Sequence, residues 1–123
     1  METTSITRLE VFHKSFNLDH KDNLDELPEA GGVFGIFAVV NEEPLNCRLI
    51  AESDNIRQSV KELFENPPSE GLKKFMQGPW IQMCIFEIMA DDVQARKELA
   101  KKWSAEYEPK IDEEGEYPGY YEY

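Results

Sequence analysis

Residues 33–40, Val33-Phe34-Gly35-Ile36-Phe37-Ala38-Val39-Val40, contain no polar side chain. A short apolar run without alternation reads as a strand covered on both faces. Gly31-Gly32 leads into it, and Asn41-Glu42-Glu43-Pro44 follows as a turn. Cys47 to Ala51 then reads as the antiparallel partner of the first strand, in a hairpin with a long loop. Farther along, Trp80 to Met89 is apolar at nearly every position and bounded by Gly78-Pro79 and Asp91-Asp92. It reads as a central strand sandwiched between helices.

The segments between these strands have helical spacing. Ser53 or Asp54 can cap a helix whose stripe is Ile56, Val60, Leu63 and Phe64, ended by Asn66-Pro67-Pro68. Ser69 can cap a short helix through Met76 that turns Leu72, Phe75 and Met76 inward. Asp91 or Asp92 opens a longer one, in which Val93, Leu99, Ala100, Trp103 and Tyr107 share a face until Pro109. Residues 6–18 fit two patterns: Ile6, Leu9, Phe12 and Phe16 suit a helix, and the aromatic and β-branched content suits a strand.

Three stretches together resemble the GIY-YIG nuclease domain: Leu27-Pro28-Glu29-Ala30-Gly31-Gly32-Val33-Phe34, Leu49-Ile50-Ala51-Glu52-Ser53-Asp54-Asn55-Ile56-Arg57, and Trp103-Ser104-Ala105-Glu106-Tyr107-Glu108-Pro109. The spacing between the two half-motifs is somewhat longer than the family usually shows. The resemblance implies an α+β fold with a small three-stranded antiparallel sheet flanked by helices over residues 27–110. Residues 1–26 would be an N-terminal extension packed on that domain, and residues 111–123 an acidic, tyrosine-rich tail.

The same resemblance shows what is missing. Phe34 stands where the family has a reactive tyrosine, and a phenyl ring can pack but cannot move a proton. Leu49 replaces the second tyrosine and Ala51 a glycine. Ser59 falls where an arginine steadies the scissile phosphate, Leu63 where many members carry histidine, and Ala100 where a glutamate binds metal. Arg57 and Glu98 each lie two residues from the position they would have to fill, about 200° around a helix. Loss of one transition-state donor costs about two to three decades in rate. The expectation is a catalytically inactive domain, without cofactor or metal, reused as a protein-binding or scaffold module. The competing expectation is a divergent metal-dependent DNA endonuclease with chemistry moved to Glu98, Glu52 or Glu87 and a cation from Arg57 or Lys61.

Composition bears on the partner. The chain of 123 residues, enough for one domain, carries 25 acidic and 13 basic side chains, a net charge of −12. That excess repels nucleic acid and favours a protein with a basic surface; self-association is a separate expectation. Lys73-Lys74, Arg96-Lys97 and Lys101-Lys102 read as solvated helix faces. His13 and His20, near Asp19, Asp22 and Asp25, lack a metal-ligand spacing and read as surface residues. Cys47 and Cys84 lie in apolar segments, as buried free thiols do, although two cysteines could pair. No membrane span or basic leader is evident, and a cytoplasmic location is expected. In the tail, Tyr117, Tyr120, Tyr121 and Tyr123 among acids either anchor a partner or fold back over an apolar patch.

Overall fold

The computed structural model describes residues 6–111. Four strands form one antiparallel sheet: β1 (Thr7–Val11), β2 (Gly32–Val40), β3 (Glu43–Ser53) and β4 (Gln82–Ile88), in the order β1-β4-β2-β3. Three helices complete the described α+β fold: α1 (Ile56–Glu65), α2 (Glu70–Met76) and α3 (Val93–Tyr107). The three-stranded expectation is therefore corrected, because the N-terminal segment of ambiguous pattern supplies a fourth strand. β1 pairs with β4 from Thr7 opposite Phe86 to Val11 opposite Gln82, which places β4 and β2 in the centre. Both were read as strands covered on both faces.

Alternation along β2 and β4 sorts side chains to two cores. Phe34, Ile36, Ala38, Cys84 and Phe86 face α1 and α2, whose Ile56, Val60, Leu63, Phe64, Leu72, Phe75 and Met76 complete that core. Val33, Phe37, Met83 and Ile85 point the other way, onto Trp103, with Leu99, Ala100 and Tyr107 of α3 alongside. Each large apolar side chain so buried contributes ~1.5–3 kcal/mol relative to exposure. The expected apolar face of α3 needs one correction: Val93 is about half exposed, and Arg96 takes the buried place at the start of the helix.

The hairpin also departs from expectation. Asn41 and Glu42, with φ of 53° and 68°, form a tight two-residue turn, and pairing begins at Val40 opposite Glu43. Pro44 sits inside β3, which is an edge strand and so loses no interior ladder bond. Register shifts on either side of Phe37 leave Asn46 and Arg48 as extra residues on β3. The bulge sends Arg48 inward, where it is fully buried with its guanidinium 4.4 Å from the centre of the Phe75 ring.

Caps fix the helix starts. Ser69 accepts from the Leu72 amide at 3.2 Å and Asp92 from the Ala95 amide at 2.9 Å, as their positions suggested. For α1 the cap is Asn55 rather than Ser53 or Asp54; its Oδ1 accepts from the Gln58 amide at 3.0 Å. Ser53 instead accepts from the Asn55 amide and orients that cap. The first-turn amides of Ile56 and Arg57 donate to the Ala30 and Pro28 carbonyls, tying α1 to the segment before β2.

Candidate functional site

The residues at the family's chemical positions do not form one cleft. Phe34 and Leu63 lie in the core under α1 and α2, and Leu49 packs against that core. Ser59 shares a hydrogen bond with Ser53, 2.6 Å between hydroxyl oxygens, at the foot of α1. Ala100 is on the opposite face of the sheet, against the α3 core. A groove lined by all five therefore does not exist. Tyr117, Tyr120, Tyr121 and Tyr123 lie outside the described residues.

Of the groups considered for relocated chemistry, Glu52 and Glu87 flank Val33 on the α3 face of the sheet, and the others lie apart from them. Glu52 lies 3.3 Å from Nε of Arg96, an ion-pair contact without hydrogen-bond geometry. Glu98, exposed on α3, accepts from Gln94. Glu87 is buried, and desolvation raises its carboxyl above the usual 4.5. Arg57 and Lys61 belong to α1, across the sheet from α3, and Arg57 is already engaged. Its Nε and Nη2 donate to the Leu27 and Asp25 carbonyls at 2.9 and 2.8 Å, and its Nη1 lies 3.3 Å from Glu29. Among the described residues, no three His, Cys, Asp or Glu side chains are grouped to hold a metal ion.

A polar cleft of about 550 Å³ lies between the segment carrying His13, Asp22, Asp25 and Glu29 and the α1 residues Arg57, Lys61 and Glu65. Its floor corrects the surface reading of His13, which is 4% exposed. The Ser15 amide donates to Nδ1 at 3.0 Å, so that nitrogen must be the acceptor and Nε2 carries the proton. Nε2 then donates to Glu65 at 2.9 Å. The pair is a neutral imidazole holding a carboxylate, and this bond is the main reason the Glu65 carboxyl titrates below the usual 4.5. Both ring nitrogens are occupied, which leaves none to act as a general base. His20, by contrast, is exposed and stacks on Phe12 with ring centres 4.2 Å apart.

A second depression, about 470 Å³, opens where the β2–β3 hairpin, β1 and the end of α3 meet. Arg8 and Glu43 approach to 3.5 Å at its rim, both more than half exposed, so their attraction is weak. Cys47 lines it, but burial pushes that thiol up to about 12. At neutral pH it is not a nucleophile. Cys84 points into the other core, so the two thiols lie on opposite faces of the sheet and cannot pair.

Sequence reasoning missed His13, Arg48 and Arg96 as buried residues. Arg96 is 2% exposed and reaches from α3 to the end of β3, where its Nη2 donates to Asp54 at 2.6 Å. A lone charge in an otherwise basic helical run gives no signal of this, because the acids it meets are some 40 positions away in the chain.

No helix among the described residues is long and apolar enough to cross a membrane. Comparison with family models, curated proteins and solved structures finds no match to this chain.

Proposed function

We propose that the chain is a non-cleaving GIY-YIG-like domain that serves as a binding module for a protein with a basic surface. The element order β2-β3-α1-α2-β4-α3 is compatible with the family plan, and β1 is an addition to it. One observation carries the loss of chemistry: of the five family positions, Phe34, Leu49 and Leu63 lie in or against one core, Ala100 lies against the other, and Ser59 is bonded to Ser53 at the foot of α1. Glu52 and Glu87 share the α3 face, but Arg57 and Lys61 lie across the sheet and no trio of metal-holding side chains forms among the described residues, so the geometry does not favour the relocated-endonuclease reading.

The polar cleft beside α1 is the surface best suited to a basic partner. Asp22, Asp25, Glu29 and Glu65 line it against Lys14, Arg57 and Lys61, and Arg57 is already bound to Glu29 and two carbonyls, which leaves a small acidic excess. Complementary charge there gives orientation and a faster encounter more than raw affinity. Titrating the isotope-labelled chain with a Lys/Arg-rich peptide tests this. Amide shifts at residues 22–29 and at Glu65 that weaken with added salt are expected. A peptide that leaves these amides unmoved, or a DNA duplex that moves them, contradicts it.

A further inference from the structure

The depression at the end of α3 has an apolar floor and a rim that carries both charges. Phe37 of β2, Cys47 of β3 and Ile85 of β4 line it, each no more than 5% exposed, and all three turn to the α3 side of the sheet. Tyr107 closes one side, its ring perpendicular to that of Phe37 with centres 5.2 Å apart. Two rings at right angles make a corner that receives a third apolar group by edge or offset contact. At about 470 Å³ the space is in the range of sites for small molecules.

Polar chemistry is confined to the rim. Arg8 stands opposite Ile85 on the edge strand β1, and Glu43 opens β3, the strand at the other edge. Their side chains therefore meet across β4 and β2, at 3.5 Å, with 57% and 66% of their surface exposed. An ion pair this long and this hydrated holds its partners loosely. Asn46, an extra residue of the β3 bulge, lines the same space, and its Nδ2 is shielded from solvent with no acceptor among the described residues. A shielded donor without a partner favours a ligand that brings an acceptor. Glu106, Glu108 and Lys110 complete the lining with charges of both signs.

We infer that this depression binds a free α-amino acid with an apolar, preferably aromatic, side chain. The ligand's carboxylate takes Arg8 and the Asn46 amide, its ammonium takes Glu43, and its side chain enters the corner of Phe37 and Tyr107 over Ile85. A zwitterion suits this rim because it satisfies both halves of the Arg8–Glu43 pair as it parts them. A simple anion leaves Glu43 without its partner, and a simple cation does the same to Arg8. The cleft beside α1 has no comparable floor, since Leu24 is the one apolar residue that lines it among the described residues. This inference stands apart from the proposed basic partner, because it concerns other residues and a small ligand.

Titrating the isotope-labelled full chain with L-phenylalanine, phenethylamine and hydrocinnamate tests it, since each of the two analogues lacks one charged group. L-Phenylalanine is expected to move the amides of Phe37, Cys47, Ile85 and Tyr107 and to bind about tenfold more tightly than either analogue, the worth of one charge-assisted hydrogen bond. In Arg8→Gln the advantage over the amine disappears, and in Glu43→Gln the advantage over the acid disappears. Both side chains are more than half exposed, so each variant keeps the fold. Amides that L-phenylalanine leaves unmoved, an analogue that binds as tightly as the amino acid, or variants that keep both advantages overturn the inference.

Discussion

His13 donates from Nε2 to Glu65 at 2.9 Å while its Nδ1 accepts from the Ser15 amide, so one buried neutral ring joins the segment after β1 to the end of α1. The ring also packs among Phe16 and Phe64, with centres 4.9 and 5.4 Å away. Replacing it by alanine removes both ring hydrogen bonds and leaves a cavity. His13→Ala is expected to lower unfolding free energy by about 2–3 kcal/mol. Denaturant melts measure it, and a loss well under ~1 kcal/mol speaks against a structural ring.

Two carboxylates should show opposite pH behaviour. Glu65 titrates below 4.5 in the fold, first because of the His13 hydrogen bond, so its contribution is present above that value and lost as pH falls through the folded one. The stability gap between wild type and Glu65→Gln should therefore close on acidification. Glu87 titrates above 4.5 because it is desolvated, so its ionised form opposes folding and that penalty fades as pH falls. Glu87→Gln should raise Tm modestly at pH 7 and less at pH 4. Parallel rather than opposite trends in thermal melts would contradict these assignments.

The fold was legible where burial is simple. Val33–Val40 is apolar throughout and Trp80–Met89 nearly so because β2 and β4 are covered on both faces, and Ser69 and Asp92 cap as their positions suggest. β1 was ambiguous because five residues on a sheet edge carry a short pattern that a helix shares. The tight hairpin was hidden by Glu42, a residue that gives no sign of adopting positive φ. Buried polar residues were hidden for a different reason. Arg96 finds Asp54, and His13 finds Glu65, only once the chain has folded. The positions that the resemblance singles out were legible, and their scatter over both faces of the sheet and the foot of α1 was not.

Arg96 is nearly fully buried, whereas its partner Asp54 is exposed and Glu52 about one-third exposed. Water can take over both carboxylates once the guanidinium is removed, so the full penalty of a stranded buried charge does not apply. Arg96→Ala is expected to cost about 1–3 kcal/mol, chiefly lost packing and hydrogen bonding, and Asp54→Asn under ~1 kcal/mol. Equal losses in chemical denaturation would mean that the pair, and not the arginine's burial, carries the stability.

The glycines before β2 differ in what surrounds them. A methyl at Gly31 meets the tip of the buried Arg96 side chain and comes within 3.2 Å of the Ser53 carbonyl, whereas one at Gly32 runs into the backbone carbonyl of Glu87 and meets Ile56. Gly32→Ala must push β2 away from β4 and is expected to cost about 3 kcal/mol, against about 1 kcal/mol for Gly31→Ala. The reverse order in thermal unfolding would contradict the strand register.

Both thiols should be silent in the native protein. Burial holds Cys47 up to about 12 and Cys84 higher still. Mass spectrometry after iodoacetamide at pH 8 is expected to find neither alkylated until denaturant is added, and no disulfide between them. Rapid native labelling of Cys47 would show that the depression beside Tyr107 is more open than described.

The central claim is that a nuclease-like frame persists without the chemistry, and one assay addresses it most directly. Linear, nicked and branched DNA are incubated with wild type and Glu98→Ala in Mg²⁺ or Mn²⁺, scoring both cleavage and binding. Neither is predicted for either protein. Metal-dependent cutting by the wild type that disappears in Glu98→Ala would contradict the account and place an active carboxylate on α3.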